Sequence, residues 1–327
     1  MAPVIKEPVP VGGRPVTCSL AGPGQSAFID GIRSLGFDTV PLESAEDHLR
    51  RGKPVLFHGY RGPYGRLADK YPGLVSIVWH SGYTGSDVMA EGEILASALE
   101  RSRRGNLHLL WLERRDVLPE GARYLAPVWD PIRMAALIQV LPRKKSRSVM
   151  VAFQGEYPRA AKNILASLAG CARTGASLHI SASSLKDKRG AGAKEILHGV
   201  DWTSYNFLPR ENVVRLAASC EVMCHVSITD TWPYLVMEAV YAGTPAVLSD
   251  AIAWTSNLPA WAQDLCIVRP HTSSEIIRKK VAYLLDHVED RNRLAVEQRA
   301  CLDRLAKSHL HEASTTLASL GFSVLNV

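Results

Sequence analysis

Long apolar runs are missing from this chain. No stretch approaches about eighteen consecutive hydrophobic residues, which excludes an evident membrane-spanning helix. The N-terminus, Met-Ala-Pro-Val-Ile-Lys-Glu-Pro, lacks the basic-then-apolar order of a secretory signal. A soluble protein with no integral membrane part is therefore expected, in the cytoplasm or, if viral, in a host's cytoplasm. Cysteine is scarce too: Cys18, Cys171, Cys220, Cys224, Cys266 and Cys301 are too few and too scattered for a disulfide scaffold and read as reduced thiols. The Gly-x4-Gly-Lys-Ser/Thr loop and the Gly-x-Ser-x-Gly elbow are both absent, which removes the simplest NTPase and hydrolase readings. Cys220-x3-Cys224-His225 lacks a second ligand pair at zinc spacing, so core packing is expected there. His309-x-His311 is expected at the surface, and no short-period repeat is present.

What the chain does have is enough apolar material for two cores: 46% of its 327 residues are hydrophobic and 21% charged. Its net charge of +6 is unevenly spread. Residues 143 to 194 hold eleven basic side chains against Glu156 and Asp187, so that segment carries +9 and the remainder −3. Such an excess suits a phosphate-bearing partner, unless counter-charges arrive from elsewhere in the fold.

Short apolar runs alternate with helical stretches. Strands are predicted at 15–20, 37–42, 54–58, 74–79 and 107–111, with helices closed by Gly36 and spanning 86–103. Residues 142–148, Pro-Arg-Lys-Lys-Ser-Arg-Ser, read as a linker. A second alternation follows: strands at 148–153, 176–181, 222–226 and 245–249, helices at 159–172, 211–219 and 234–242, and a mobile loop at 185–192. The closing third, from Ser273 to about Leu320, is mostly amphipathic helix. The expected domains are residues 1–141, the linker 142–148, residues 149–305, and a C-terminal helix at 306–327 that packs back on the first domain. The fold class is α/β, two doubly wound domains with ligands at the carboxyl ends of the strands.

The richest stretch is Ser227-Ile-Thr-Asp230-Thr-Trp-Pro-Tyr-Leu-Val-Met-Glu238-Ala-Val-Tyr-Ala-Gly243-Thr-Pro245. A carboxylate follows a strand, a second lies eight residues on in a helix, and Gly-x-Pro leads to the next strand. A helix N-terminus offers free N–H groups to a diphosphate, and carboxylates can grip sugar and ribose hydroxyls. This pattern resembles the signature of retaining, GT-B-fold glycosyltransferases of the large sucrose-synthase-like family (glycosyl transferases group 1), with Asp230 and Glu238 where the family has its two Glu residues. Val151-Ala-Phe-Gln-Gly155-Glu-Tyr-Pro-Arg159-Ala-Ala-Lys162-Asn163 is similar to that family's strand and basic loop. Lys162 matches the second basic position, Glu156 replaces the first, and Arg159 stands near enough to compensate. Trp232-Pro233 replaces the usual aromatic-Gly pair, and proline offers no N–H.

The resemblance implies a GT-B architecture of two Rossmann-like domains facing a cleft, and transfer of a sugar from a nucleotide diphosphate donor, UDP or GDP, to an acceptor hydroxyl with retention. It implies no cofactor and no essential metal. Lys162, with Arg159, would stabilise the departing diphosphate; Glu238 would hold the ribose and Asp230 the donor sugar; Trp232, Tyr234 and Leu235 would line the donor site. In the first half, Gly22 and Gly24 look like the family's glycine loop facing the donor, and His80 resembles its first-domain histidine. The basic segment suits DNA carrying a hydroxymethylated base, or another anionic acceptor. A nucleotide-sugar or nucleic-acid binding protein that kept this fold and lost the chemistry is the alternative reading.

Overall fold

The computed structural model describes residues 14–19, 26–60, 62–80, 91–113, 118–136, 146–151, 162–180, 191–205, 208–230 and 232–325. The chain divides into two compact units, Met1–Asp130 with Ala306–Val327, and Pro131–Leu305.

The first unit runs β1 (Val16–Ser19), α1 (Ser26–Ser34), β2 (Asp38–Thr39), α2 (Leu42–Arg50), β3 (Val55–His58), α3 (Gly62–Lys70), β4 (Val75–Trp79), α4 (Gly92–Arg103), β5 (Leu107–Trp111) and β6 (Ala122–Tyr124). Its sheet is parallel throughout, in the order β2-β1-β3-β4-β5-β6. Parallel strands are covered on both faces, so β3 and β4 are buried at every residue and carry apolar runs rather than an alternating pattern. Trp79 and Trp111 are register partners on β4 and β5, and their rings stack at 6.4 Å and 5°.

Three expectations change here. The strand predicted over 37–42 shrinks to Asp38–Thr39, because the extended Pro41 is the N-cap of α2 and Leu42 already belongs to that helix. The helix predicted over 86–103 is described from Gly92; residues 86–90 lie outside the described residues. His309 is buried rather than at the surface: its Nδ1 meets the Pro127 carbonyl at 2.9 Å, and Trp129 packs edge-on against its ring. The residues beyond Ala306 fold onto this unit, where Leu325 donates its N–H to Leu35 and Phe322 meets Phe37.

The second unit runs α5 (Pro131–Ala136), β7 (Ser146–Val151), α6 (Ile164–Cys171), β8 (Ser177–Ile180), α7 (Ala191–Ile196), β9 (Trp202–Ser204), α8 (Arg210–Ser219), β10 (Cys220–His225), α9 (Tyr234–Tyr241), β11 (Ala246–Ser249), α10 (Ala260–Cys266), β12 (Ile267–Val268), α11 (Ser274–Asp286) and α12 (Val288–Ala318), the unit boundary falling inside α12. Of the linker expected at 142–148, residues 146–148 belong to β7 instead, with Ser148 fully buried in it, and residues 142–145 lie outside the described residues. The sheet is again parallel, in the order β12-β11-β10-β7-β8-β9. Numbered within the unit this is 6-5-4-1-2-3, the Rossmann arrangement, whose topological switch point lies between β7 and β10. Cys220 and Cys224 are fully buried in β10, as core residues.

Among the described residues, counter-charges from within the unit reach three cations of the basic segment. Of the eleven cations between 143 and 194, the structure describes Arg147, Lys162, Arg173 and Lys194. Arg147 pairs with Asp286 at 2.9 Å, Arg173 with Glu275 at 3.6 Å, and Lys162 with Asp230.

Candidate functional site

The candidate residues gather at the carboxyl ends of β7 and β10. Because these strands are neighbours, Lys162, which follows β7 in the chain, and Asp230, which follows β10, meet at the switch point. Lys162 Nζ donates to Asp230 Oδ2 at 2.5 Å, and His225, the last residue of β10, brings Nε2 to the same oxygen at 2.7 Å. The three side chains are only 21%, 10% and 7% exposed for Lys162, Asp230 and His225. Burial alone would raise the Asp230 carboxyl pKa, but the Lys162 ammonium and the His225 hydrogen bond outweigh it and hold the group well below the carboxylate range. Asp230 is thus an anion that fixes the position of a cation.

A second buried pair lies beside it in the sequence of elements. Arg210, the first residue of α8, donates Nε to Glu238 Oε1 at 2.5 Å, with side chains 14% and 9% exposed. Glu238 sits on the second turn of α9. Pro233 is the N-cap of α9, a place where its missing N–H is no loss. The first turn of that helix is less open to an anion than expected: Tyr234 donates its N–H to Trp232, and Val236 and Met237 both donate theirs to Pro233. Leu235 and Trp232 are half-buried there, and Tyr234 is buried. With those N–H groups occupied, a bound anion would depend more on the Lys162 ammonium.

Gly243-Thr-Pro245 is scaffold. Gly243 has φ of 80°, its N–H reaches Val240 and that of Thr244 reaches Ala239, which together end α9 in a left-handed cap. The Thr244 hydroxyl then ties that cap to Ala217 at the end of α8 and to Cys220 at the start of β10. The motif fixes α9, and with it Glu238, relative to β10.

In the first unit, His80 follows β4 and has its Nε2 enclosed without a partner among the described residues. Burial pushes its imidazole pKa down to about 4. Its ring meets Phe28 at 5.2 Å and His58 at 5.9 Å. His58, fully buried at the end of β3, is held by Thr17, whose hydroxyl bonds Leu56 O at 3.0 Å and His58 Nε2 at 2.6 Å. Burial, and to a lesser extent His80, keep the His58 pKa well below the ordinary range. Burial thus favours the neutral form of both rings.

The structure brings Lys162 and Asp230 together and gives Glu238 a cationic partner. Gly22, Gly24 and Arg159 lie outside the described residues, as does most of the loop expected at 185–192. His225 and Arg210 were given no role from sequence. Their signal was present only as position, one ending the strand before the signature and the other opening the helix before that strand. Among the described residues no three His, Cys, Asp or Glu side chains converge as a metal would need, and no helix is long and apolar enough to cross a membrane.

Residues 179–300 match the family model for glycosyl transferases group 1. That match spans a little over a third of the chain. The fold of the whole chain agrees. A UDP-forming trehalose-phosphate synthase from Burkholderia xenovorans, solved with glucose-6-phosphate, superposes with a TM-score of 0.65 at 11% identity, covering 94% of this chain and 100% of that one. Sucrose-phosphate synthase from Thermosynechococcus elongatus gives 0.66 at 12% identity, covering 94% and 99%. TarM of S. aureus, solved with UDP and α-GlcNAc-glycerol, gives 0.58 at 12% identity, covering 84% of this chain and 58% of that one. The architecture is GT-B, with two Rossmann-like domains. No curated protein matches the chain by sequence.

Proposed function

We propose that the chain transfers a sugar, with retention, from a nucleoside diphosphate donor, UDP- or GDP-linked, to an acceptor hydroxyl. The observation that carries this reading is the Lys162 ammonium held at the β7/β10 switch point by a buried carboxylate. An ammonium has three N–H donors. One is spent on Asp230, which leaves two for the oxygens of a departing diphosphate, the place where negative charge grows. Asp230 is then a positioning residue for Lys162 rather than the sugar's main partner, while Glu238, steadied by Arg210, accepts from ribose hydroxyls. In this reading Lys162 does electrostatic work that a divalent ion does in other transferases, so no metal is required. Attack from the face the diphosphate leaves, with its oxygen taking the acceptor proton, gives retention without a protein nucleophile.

The cationic run suggested a hydroxymethylated DNA base as acceptor. Arg147 and Arg173 each have an acidic partner inside the unit, which weakens their pull on DNA, and the proposal commits to a hydroxyl acceptor alone.

The test is a thermal-shift screen with UDP, GDP, ADP and TDP and their sugar conjugates, followed by assay of transfer and of slow donor hydrolysis. A ligand at a hundred times its Kd adds about 2.7 kcal/mol. One nucleotide standing out is expected, with turnover falling about 10²-fold in Lys162→Ala, the scale of losing one preorganised donor to a developing anion. Binding without turnover would favour the inactive nucleotide-sugar binder, and no shift from any nucleotide would sink the transferase reading and that alternative, leaving nucleic-acid binding.

A further inference from the structure

Asn163, the residue after Lys162, is the one non-glycine residue with positive φ among those described, at φ 49° and ψ 39°. It is the N-cap of α6, yet its side chain makes no cap hydrogen bond. The side-chain amide instead donates Nδ2 to the carbonyl of His271 at 2.7 Å, across 108 residues. A carbonyl can only accept, so the NH2 end of the amide faces it. The acceptor is itself fixed. His271 lies in the turn between β12 and α11, where Ser273 donates its N–H to Pro270 and caps α11 by accepting from Ile276. The two helices that carry these groups are in close contact, since a Cβ on Gly170 of α6 would come within 2.6 Å of Ile277 on α11. The Asn163 carbonyl accepts from Ser167 in the first turn of α6. Backbone and side chain of Asn163 are therefore held at separate points, and the strained conformation stands directly next to Lys162.

We infer that Asn163 is a positioning residue for Lys162: its left-handed turn, latched to the His271 carbonyl, aims the preceding side chain at Asp230. This rests on the role given above to Lys162 at the diphosphate. Asn suits the position because it tolerates the left-handed region better than other residues with a side chain, and because its amide reaches a carbonyl that glycine could not. Without the latch, the left-handed residue relaxes toward ordinary helix geometry and the Lys162 stem swings away from Asp230.

The experiment uses the full chain with Asn163→Ala, Asn163→Gly, Lys162→Ala and the double variant Lys162→Ala/Asn163→Ala. The first readout needs no ligand: the rate of reductive methylation of the Lys162 amine, followed by peptide mass spectrometry. Released from Asp230, Lys162 in Asn163→Ala is methylated about five- to tenfold faster than in the unaltered protein, the scale set by the strain of a left-handed alanine. Asn163→Gly keeps the turn without strain and loses only the latch, so it falls between the two and melts within a few degrees of the unaltered protein. It keeps the test decisive if the alanine variant folds poorly. Unchanged methylation in a folded Asn163→Ala, or in Asn163→Gly when the alanine variant does not fold, overturns the inference.

The second readout is affinity for UDP, GDP and ADP by calorimetry. A residue that acts through Lys162 has no effect once Lys162 is gone, so Asn163→Ala adds no further loss in the Lys162→Ala background. Independent losses that add overturn the inference, because a purely structural role produces them. If Lys162→Ala itself binds all three nucleotides as well as the unaltered protein, the diphosphate reading fails, while methylation still decides whether Asn163 positions Lys162.

Discussion

Lys162 Nζ and Asp230 Oδ2 lie 2.5 Å apart although 68 residues separate them, and His225 Nε2 meets that same oxygen at 2.7 Å. One carboxylate oxygen thus organises a lysine from the loop after β7 and a histidine that ends β10. The parallel pairing of β7 with β10 makes this convergence possible, because both strands finish at the same edge of the sheet.

The pH dependence of stability follows from that carboxylate. Asp230 is depressed in the folded state, so the unfolded chain binds a proton first as pH falls. Its contribution is complete above the ordinary carboxylate value of about 3.9 and is lost as pH drops below it toward the folded value. Asp230→Asn should cost about 2 kcal/mol in urea unfolding at pH 7, since Lys162 and His225 lose a charged partner. That deficit should stay constant from about pH 5 to 8 and shrink below about pH 4. A deficit independent of pH down to the acid transition would mean that Asp230 is not the titrating group.

His80 gives a second slope in a different range. Its folded value of about 4 lies below the ordinary histidine value, so the unfolded chain takes up protons first as pH falls from about 6.5. Stability tied to this group is full above about pH 6.5 and declines by up to about 3 kcal/mol on the way to pH 4. His58 acts in the same direction. His80→Gln, which cannot be protonated there, should flatten the slope between pH 6.5 and 4, measured by urea midpoints. An unchanged slope would assign it to other groups.

Two glycines separate conformational cost from steric cost. A Cβ at Gly243 meets nothing within 4 Å, but φ there is 80°, so Gly243→Ala should cost about 1 kcal/mol through backbone strain alone. Gly243→Asn should cost less, since Asn tolerates that region. Gly170 is not among the positive-φ glycines, yet a Cβ there would lie 2.6 Å from Ile277 and 2.8 Å from the Ser274 carbonyl. Gly170→Ala should cost about 1–3 kcal/mol by forcing α6 from α11, and Ile277→Ala should relieve part of it. The check is a set of urea midpoints at pH 7, and strict additivity of Gly170→Ala with Ile277→Ala would contradict the packing account.

Arg210→Ala would leave Glu238 without its guanidinium. Breaking a buried pair from one side costs about 3 kcal/mol, more than the pair itself contributes. Arg210→Lys returns the charge but not the Nε geometry and should recover only part of the loss. Thermal melts read the stability, and a parallel fall in nucleotide affinity would tie the pair to the ribose reading. Wild-type melting in Arg210→Ala would show that the pair is not needed to satisfy Glu238.

Much of this was legible in the chain before folding. Runs such as Val55-Leu-Phe-His58 and Val75-Ser-Ile-Val-Trp79 mark buried parallel strands, because strands covered on both faces lose the alternation that would disguise them. The spacing of Asp230, Glu238, Gly243 and Pro245 marks one strand-loop-helix-turn unit, since each residue answers a local requirement. Strands as short as Asp38–Thr39, Ala122–Tyr124 and Ile267–Val268 carry no period, and only their neighbours in the sheet make them strands.

The sequence by itself determined the order of the longer elements and which residues stand at their strand ends, because periodicity, turn chemistry and helix capping act over a few residues. Tertiary structure alone decided which ends meet. It set β7 beside β10, so that Lys162 finds Asp230 and His225, placed Arg210 against Glu238, and packed α11 on α6, so that Asn163 reaches His271. Those pairings depend on crossover connections and shared burial across 28 to 108 residues, distances over which no local pattern in the chain specifies a partner.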